Sequence, residues 1–286
     1  MRAYEIGLYE KAMPDVSWAE KLAAAKEAGY DFVELSIDAS EDKIRRVYMS
    51  KAERKALVAL LYEQDMPLRT MNVSALTKYA LGDEDDVIRD RGLDIARHAI
   101  PLAADLGVRI VMFPGYDIYF GVSTPETVRR FGEAMEELKA LAARYGTVIG
   151  FETMENEFMN TVEKGMQWVD RFASPYVQLY PDIGNTTNAA ILHGGDPLAD
   201  LRLGRGHIAA LHLKETKPGV FREIPYGEGH VDFVGAIDTA WELGVRRYVT
   251  EFWYDKTLPD WRAELFKARS RFTALLDEKE QTPCAI

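Results

Sequence analysis

The 286-residue chain has one cysteine, Cys284, so neither an intramolecular disulfide framework nor a cysteine zinc finger can form. Such a chain suits a reducing compartment. No apolar stretch reaches the roughly 18 residues of a transmembrane helix, and the opening MRAYEIGLYE has no apolar run of signal-peptide length. A cytoplasmic protein is the expectation. Positive charge is scarce: 35 Lys and Arg stand against 46 Asp and Glu, a formal net charge of −11. A phosphate backbone or an anionic membrane would be repelled at long range, so neither nucleic acid nor membrane is an expected partner. A small anion held by a few local cations is still compatible. No G-x-G-x-x-G follows the first apolar run, which removes the mark of a dinucleotide-binding open sheet.

What is present is an ordinary globular composition, 47% hydrophobic and 28% charged, with enough chain to bury a large core. A repeated join organises it: a helical pattern ends at glycine, and an apolar, β-branched run begins within a few residues. AAAKEAGYDFVELSI, PLAADLGVRIVMFPG, LAARYGTVIGFET and AWELGVRRYVTEF are four instances. Glycine suits the left-handed position that closes a helix, so each reads as helix, tight turn, buried strand. Working outward predicts eight strands, near Tyr4–Tyr9, Phe32–Ile37, Leu68–Val73, Arg109–Phe113, Val148–Phe151, Val177–Tyr180, Ile208–Leu213 and Tyr248–Phe252. The intervening helices are predicted near Trp18–Ala28, Lys51–Gln64, Asp86–Leu106, Pro125–Tyr145, Val162–Phe172, Pro197–Leu203, Phe233–Leu243 and Pro259–Leu276. Ser17 with Glu20 reads as a capping box, and Thr124 before Pro125 as a helix start. Eight βα repeats favour a closed (β/α)8 TIM barrel spanning residues 1–286 as one domain.

In such a barrel the chemistry sits at the carboxyl ends of the strands. Glu152 ends VIGFE, Asp182 follows VQLYP, His212 ends HIAALH and Glu251 ends RYVTE. Each is about one βα unit from the next, so the four should converge in one mouth from strands five to eight. Three carboxylates and one imidazole suit Mn²⁺, Zn²⁺, Co²⁺ or Mg²⁺ and do not suit thiophilic copper. Singly, a strand-end carboxylate is as often a helix cap, and a strand histidine more often a packing residue; their shared register favours a catalytic metal centre. His98, His193, His207 and His230 fall outside that register. Phe113, Phe151, Tyr180 and Phe252 are expected in the barrel core.

The segments GLYEKAMP (7–14), FVELSID (32–38), LYPDIGN (179–185), HLKETKPGVF (212–221) and PYGEGHVDF (225–233) closely resemble the L-ribulose-5-phosphate/L-xylulose-5-phosphate 3-epimerases, over nearly the whole chain. The resemblance implies a xylose-isomerase-like TIM barrel, an isomerase in L-ascorbate and pentose breakdown, one divalent ion held by Glu152, Asp182, His212 and Glu251, and a homodimer, to which Trp18 and Trp241 on outer helices are candidate contributors. Similar epimerases of free ketoses usually carry a histidine three residues after the aspartate and an arginine six after the metal histidine; Asn185 and Pro218 stand there instead. Lys214 and Lys217 are the expected phosphate contacts, Asn185 and Lys214 the expected sugar-orienting pair, and Glu10 and Lys11 expected hydroxyl contacts. One departure is the stretch Leu76, Thr77, Lys78 after MNVSA, where the phosphate enzymes should be more basic and contain histidine. Epimerisation at C3 needs acid/base groups on both faces of an enediolate, and Glu152 and Glu251 are assigned to them. Alternatives are an isomerase, a free-ketose epimerase or a dehydratase of the same barrel type, or a silent sugar-binding barrel. An apurinic endonuclease would need a basic face and a histidine-rich zinc cluster, which five histidines and the net negative charge disfavour.

Overall fold

The computed structural model describes residues 2–281, so Cys284 lies outside the described residues. Eight strands run parallel: β1 (Glu5–Tyr9), β2 (Phe32–Ser36), β3 (Leu68–Asn72), β4 (Ile110–Pro114), β5 (Val148–Glu152), β6 (Val177–Leu179), β7 (Leu211–Leu213) and β8 (Arg247–Thr250). They are ordered β6-β5-β4-β3-β2-β1-β8-β7. The two ends meet through parallel bridges between Leu179 and Ile208 and between Asp182 and His212, which close the curl into a barrel. At this seam the ladder includes Leu179 N–H to His207 O (2.8 Å) and His212 N–H to Pro181 O (2.9 Å).

Ten helices cover the strands: α1 (Trp18–Glu27), α2 (Glu41–Ile44), α3 (Lys51–Gln64), α4 (Asp86–Asp105), α5 (Pro125–Tyr145), α6 (Val162–Phe172), α7 (Ile183–His193), α8 (Pro197–Leu203), α9 (Phe233–Glu242) and α10 (Trp261–Gln281). Thr124 caps α5 with a reciprocal bond to Thr127 and with Pro125 following, as expected. Ser17 accepts only the Glu20 N–H at the start of α1. Gly146 closes α5 at φ 65°, a conformation that penalises any side chain. Sequence periodicity missed two helices: α2, a single turn too short to show a period, and α7, where IGNTTNAAILH has no polar stripe because most of its length is buried under the loop after β7. His193 therefore ends a helix.

The barrel interior is filled by Tyr9, Phe32, Ile110, Met112, Tyr180, Ala210 and Val249. A larger core lies between strands and helices and includes Phe113 and Phe151. Phe252, expected in the core, is only half-buried and lines a cavity at the barrel mouth. Each outer tryptophan is faced by an arginine of its own chain: Arg46 lies 5.1 Å over Trp18 and Arg246 3.7 Å over Trp241.

Candidate metal centre and active site

The four residues in strand-end register are all buried, and one ligand atom from each lies within 4.8 Å of every other. Metal–oxygen bonds of about 2.1 Å set ligand atoms roughly 3 to 4 Å apart, so only a small inward adjustment separates this cluster from a coordination shell. Glu152 is the last residue of β5; Asp182 immediately precedes α7; His212 is central in β7; Glu251 follows β8. The imidazole is the hub. Its Nδ1 lies 3.0 Å from Glu152 Oε1, 2.7 Å from Glu251 Oε2 and 4.0 Å from Asp182 Oδ2.

Asp182 divides its two oxygens between fold and site. Oδ1 accepts the Asn185 N–H (2.8 Å), capping α7. Oδ2 faces Lys214 Nζ at 2.9 Å, yet this oxygen and Glu251 Oε2 are buried without a well-directed hydrogen bond. Buried carboxylate oxygens without donors are costly unless a cation takes them. With hard oxygen donors and one imidazole, the residues present fit a divalent ion.

The electrostatics agree. Burial, then repulsion from Glu251, holds the Glu152 carboxyl above its ordinary range. Burial pushes Asp182 up to about 8 despite the Lys214 ammonium. At Glu251 burial acts upward, but Lys214 and His212 outweigh it and hold the carboxyl well below the usual range. His212 is raised far above normal because Glu34 and Glu251 overcome its burial.

The remaining expected residues divide. Asn185 is buried beside the centre, donating Nδ2–H to Thr153 O (2.8 Å), with its Oδ1 unpartnered. Lys214 is buried on Asp182, whereas Lys217 is 44% exposed and points toward Glu228 at 3.9 Å. Lys214 is therefore committed to a carboxylate, while the Lys217 ammonium stays open to solvent. Lys11 pairs with Asp38 at 2.9 Å. Glu10 is in a different setting from the expected sugar contact: it is 1% exposed, and its carboxylate takes Lys21, Lys43, Arg46 and the Ser36 N–H. In the segment after β3, Ala75 and Leu76 are buried and the Lys78 ammonium sits over the Tyr79 ring.

Three features were not anticipated. Glu34, in the middle of β2, is fully buried, with Oε1 2.8 Å from His212 Nε2. A lone carboxylate inside the apolar run FVELS was the available signal. The loop after β7 is built around Glu215, whose carboxylate accepts the backbone N–H groups of Thr216, Gly227 and Val231. This explains the spacing within HLKETKPG and YGEGHVDF. Between that loop, the loop after β8 and α10 lies a cavity of about 760 Å³, lined by Lys214, Glu251, Tyr226, Trp253 and Arg271 among others. It opens from a metal-site carboxylate to solvent, in the loop region where TIM barrels commonly seat a substrate's phosphate. No helix among the described residues is long and apolar enough to cross a membrane.

Comparison with known proteins matches this architecture. The L-ribulose-5-phosphate 3-epimerase UlaE of Escherichia coli O1:K1 / APEC is 40% identical over 266 residues, 92% of each chain. The Escherichia fergusonii protein of that name shows the same identity and coverage. Among solved structures, an L-ribulose 3-epimerase superposes with a TM-score of 0.77 at 17% identity, covering 96% of this chain and 95% of its own. A 3-keto-D-glucoside 4-epimerase, YcjR, from E. coli gives 0.74 at 18% identity, covering 93% and 99%. At those identities the structures speak for the fold alone. The family model for xylose isomerase-like TIM barrels matches residues 22–273, and with the barrel closed at the β6–β7 seam and the buried cluster at its mouth, the chain belongs to that family.

Proposed function

We propose that the chain, read as one catalytic barrel over residues 1–286, is a metal-dependent 3-epimerase of a ketopentose 5-phosphate, interconverting L-xylulose 5-phosphate and L-ribulose 5-phosphate. The observation that carries this reading is the convergence of two buried carboxylates, Glu152 from β5 and Glu251 after β8, on the same imidazole nitrogen, His212 Nδ1. The similarity to the UlaE proteins supplies the substrate class.

Glu152, Asp182, His212 and Glu251 would hold one divalent ion, Zn²⁺ or Mn²⁺ with Mg²⁺ or Co²⁺ as alternatives. When bound, the ion supplies positive charge that acidifies the C3–H beside the C2 carbonyl and offsets the charge of the enediolate. Glu152 and Glu251 approach the sugar from strands on opposite sides of His212. One carboxylate takes the C3 proton, and the other returns a proton to the opposite face, which inverts the centre. Asp182 and His212 stay fixed: the first is tied to the start of α7, the second is held from both ring nitrogens. Asn185 and Lys214 border this space and orient the sugar hydroxyls. A cytoplasmic homodimer acting in L-ascorbate breakdown completes the reading.

A second reading, epimerisation of the free ketose, is favoured by the commitment of the nearby cations: Lys214 is buried on Asp182, and Lys78, the lysine of the segment after β3, sits over the Tyr79 ring. Proton NMR in D2O separates the two. The expected result is EDTA-sensitive loss of the C3 proton of L-xylulose 5-phosphate with growth of L-ribulose 5-phosphate signals. Persistence of that proton with every divalent ion tried overturns the phosphate reading, and exchange with L-xylulose alone establishes the free-sugar one.

A further inference from the structure

Glu34 is a buried carboxylate in contact with the candidate centre that the reaction leaves without a task. It lies in the centre of β2, across the barrel from β7, and is fully buried. Its two oxygens have separate partners. Oε1 meets His212 Nε2 at 2.8 Å; Oε2 accepts the Thr70 hydroxyl at 2.6 Å and the Tyr180 hydroxyl at 2.8 Å. The Tyr180 ring also packs on the imidazole, with centroids 4.6 Å apart. Strands β2, β3, β6 and β7 are thus joined through one carboxylate inside the barrel.

We propose that Glu34 is the positioning residue that makes His212 a metal ligand. The inference rests on the metal-centre reading above. An imidazole can present either nitrogen, and a rotating ring would present neither consistently. A carboxylate on Nε2 keeps the proton there, so the Nδ1 lone pair is the one aimed at Glu152, Asp182 and Glu251. Thr70 and Tyr180 fix the carboxylate in turn, and their hydroxyls satisfy the oxygen that the imidazole does not use. Its negative charge also raises the donor strength of the ring. Partners of this kind, one bond removed from the ion, typically alter metal affinity by 10- to 100-fold. The barrel core therefore determines metal binding from the wall opposite the ligands.

The test is Glu34→Gln, which keeps the side-chain volume and can still accept from Nε2–H while Thr70 and Tyr180 reverse their hydroxyls. Affinity for Zn²⁺ is measured by competition with a chromophoric chelator, and the visible spectrum of the Co²⁺-loaded protein reports ligand geometry independently of turnover. The expected result is a 10- to 100-fold weaker Zn²⁺ affinity and a changed Co²⁺ band, in a protein whose metal-free circular dichroism matches the parent. Tyr180→Phe, which keeps the Glu34–His212 bond and frees the far oxygen, should shift affinity the same way by less; it serves also if Glu34→Gln does not fold. Affinity within twofold of the parent in a folded variant, with an unchanged Co²⁺ spectrum, overturns the assignment of Glu34. A parent protein that binds neither ion overturns the metal centre itself, so the two failures are distinguishable.

Discussion

Replacing Glu10 by glutamine should unfold the protein more readily without touching the chemistry. The carboxylate is 1% exposed and lies at the centre of its partners: Lys21 at 2.7 Å, Lys43 at 2.6 Å, Arg46 at 2.6 Å, and the Ser36 N–H at 3.0 Å. Lys21 is itself only 3% exposed, and the other carboxylate in reach, Asp15 at 3.9 Å, stands in solvent. Glutamine would fill the same volume and leave a buried ammonium without a counter-charge. Removing one partner of a buried ion pair costs about 3 to 5 kcal/mol. For a domain of this size each kcal/mol moves the melting temperature by roughly 2 to 4 °C, so a fall of about 10 °C is expected at neutral pH. The pH dependence has a definite sign. Burial alone would raise the Glu10 carboxyl, but Arg46, Lys21 and Lys43 prevail and hold it well below its ordinary 4.5. Its contribution is complete above about pH 5 and is lost as the pH falls toward the folded value, so parent and variant should converge in acid. Thermal melts from pH 7 down to pH 3 read both effects. A loss under about 1 kcal/mol with a raised KM would refute this reasoning and return Glu10 to the role of sugar contact.

Glu152→Gln and Glu251→Gln should each fold and lose about 10²- to 10⁴-fold in C3 proton exchange, the usual contribution of a positioned acid or base; near-parental exchange in either would remove it from that role. Dialysis against EDTA should abolish turnover, and Zn²⁺ or Mn²⁺ should restore it; an undiminished rate in protein shown by elemental analysis to be metal-free would contradict the mechanism. Gly229→Ala puts a Cβ into the Thr216 carbonyl and the Glu215 carboxylate, with a cost of about 1 to 3 kcal/mol. It should also expose the loop after β7 to limited proteolysis, and a digestion rate like that of the parent would show that Glu215 does not organise the loop.

The barrel was legible because its punctuation is local. A helix closed by glycine and followed by an apolar run, as at Gly146 before Val148, announces an αβ turn without knowledge of what packs on it. The convergence of Glu152, Asp182, His212 and Glu251 was legible for a related reason: strand-end polarity in an otherwise apolar run marks the barrel's carboxyl face. What escaped depends on tertiary context. Helix α7 buries Asn185, Thr186, Thr187 and Asn188, so polar residues face protein there and the amphipathic pattern is absent. Glu10 and Lys11 look alike in sequence as charges after the first strand, but one is enclosed by three cations and the other reaches a single aspartate near solvent. No spacing rule distinguishes them. Lys214 follows β7 in sequence, but its partner, Asp182, comes from a separate βα unit and could not be read from spacing.

The charges at the mouth give a reason for the quartet that sequence spacing cannot. Glu34, Glu152, Asp182 and Glu251 are four carboxylates, each no more than 5% exposed, and His212 and Lys214 are the two cationic side chains buried against them. Four negative charges against at most two positive ones leave an excess of two. At an effective dielectric constant near 20, like charges about 4 Å apart repel by roughly 4 kcal/mol, so such an excess is not stable without proton uptake or a cation. Burial and mutual repulsion raise the carboxyls of Glu152 and Asp182, which is the direction of the first response. A divalent ion gives the second: because it would displace the proton from His212 Nδ1, it would lower the excess from two to one. It would also meet Asp182 Oδ2 and Glu251 Oε2, the buried oxygens to which the protein offers no well-directed donor. Lys214 then serves to keep the excess at two instead of three, because without its ammonium one more proton or one more cation would be required. The lysine expected beside a phosphate thus also enters the charge balance among these buried carboxylates.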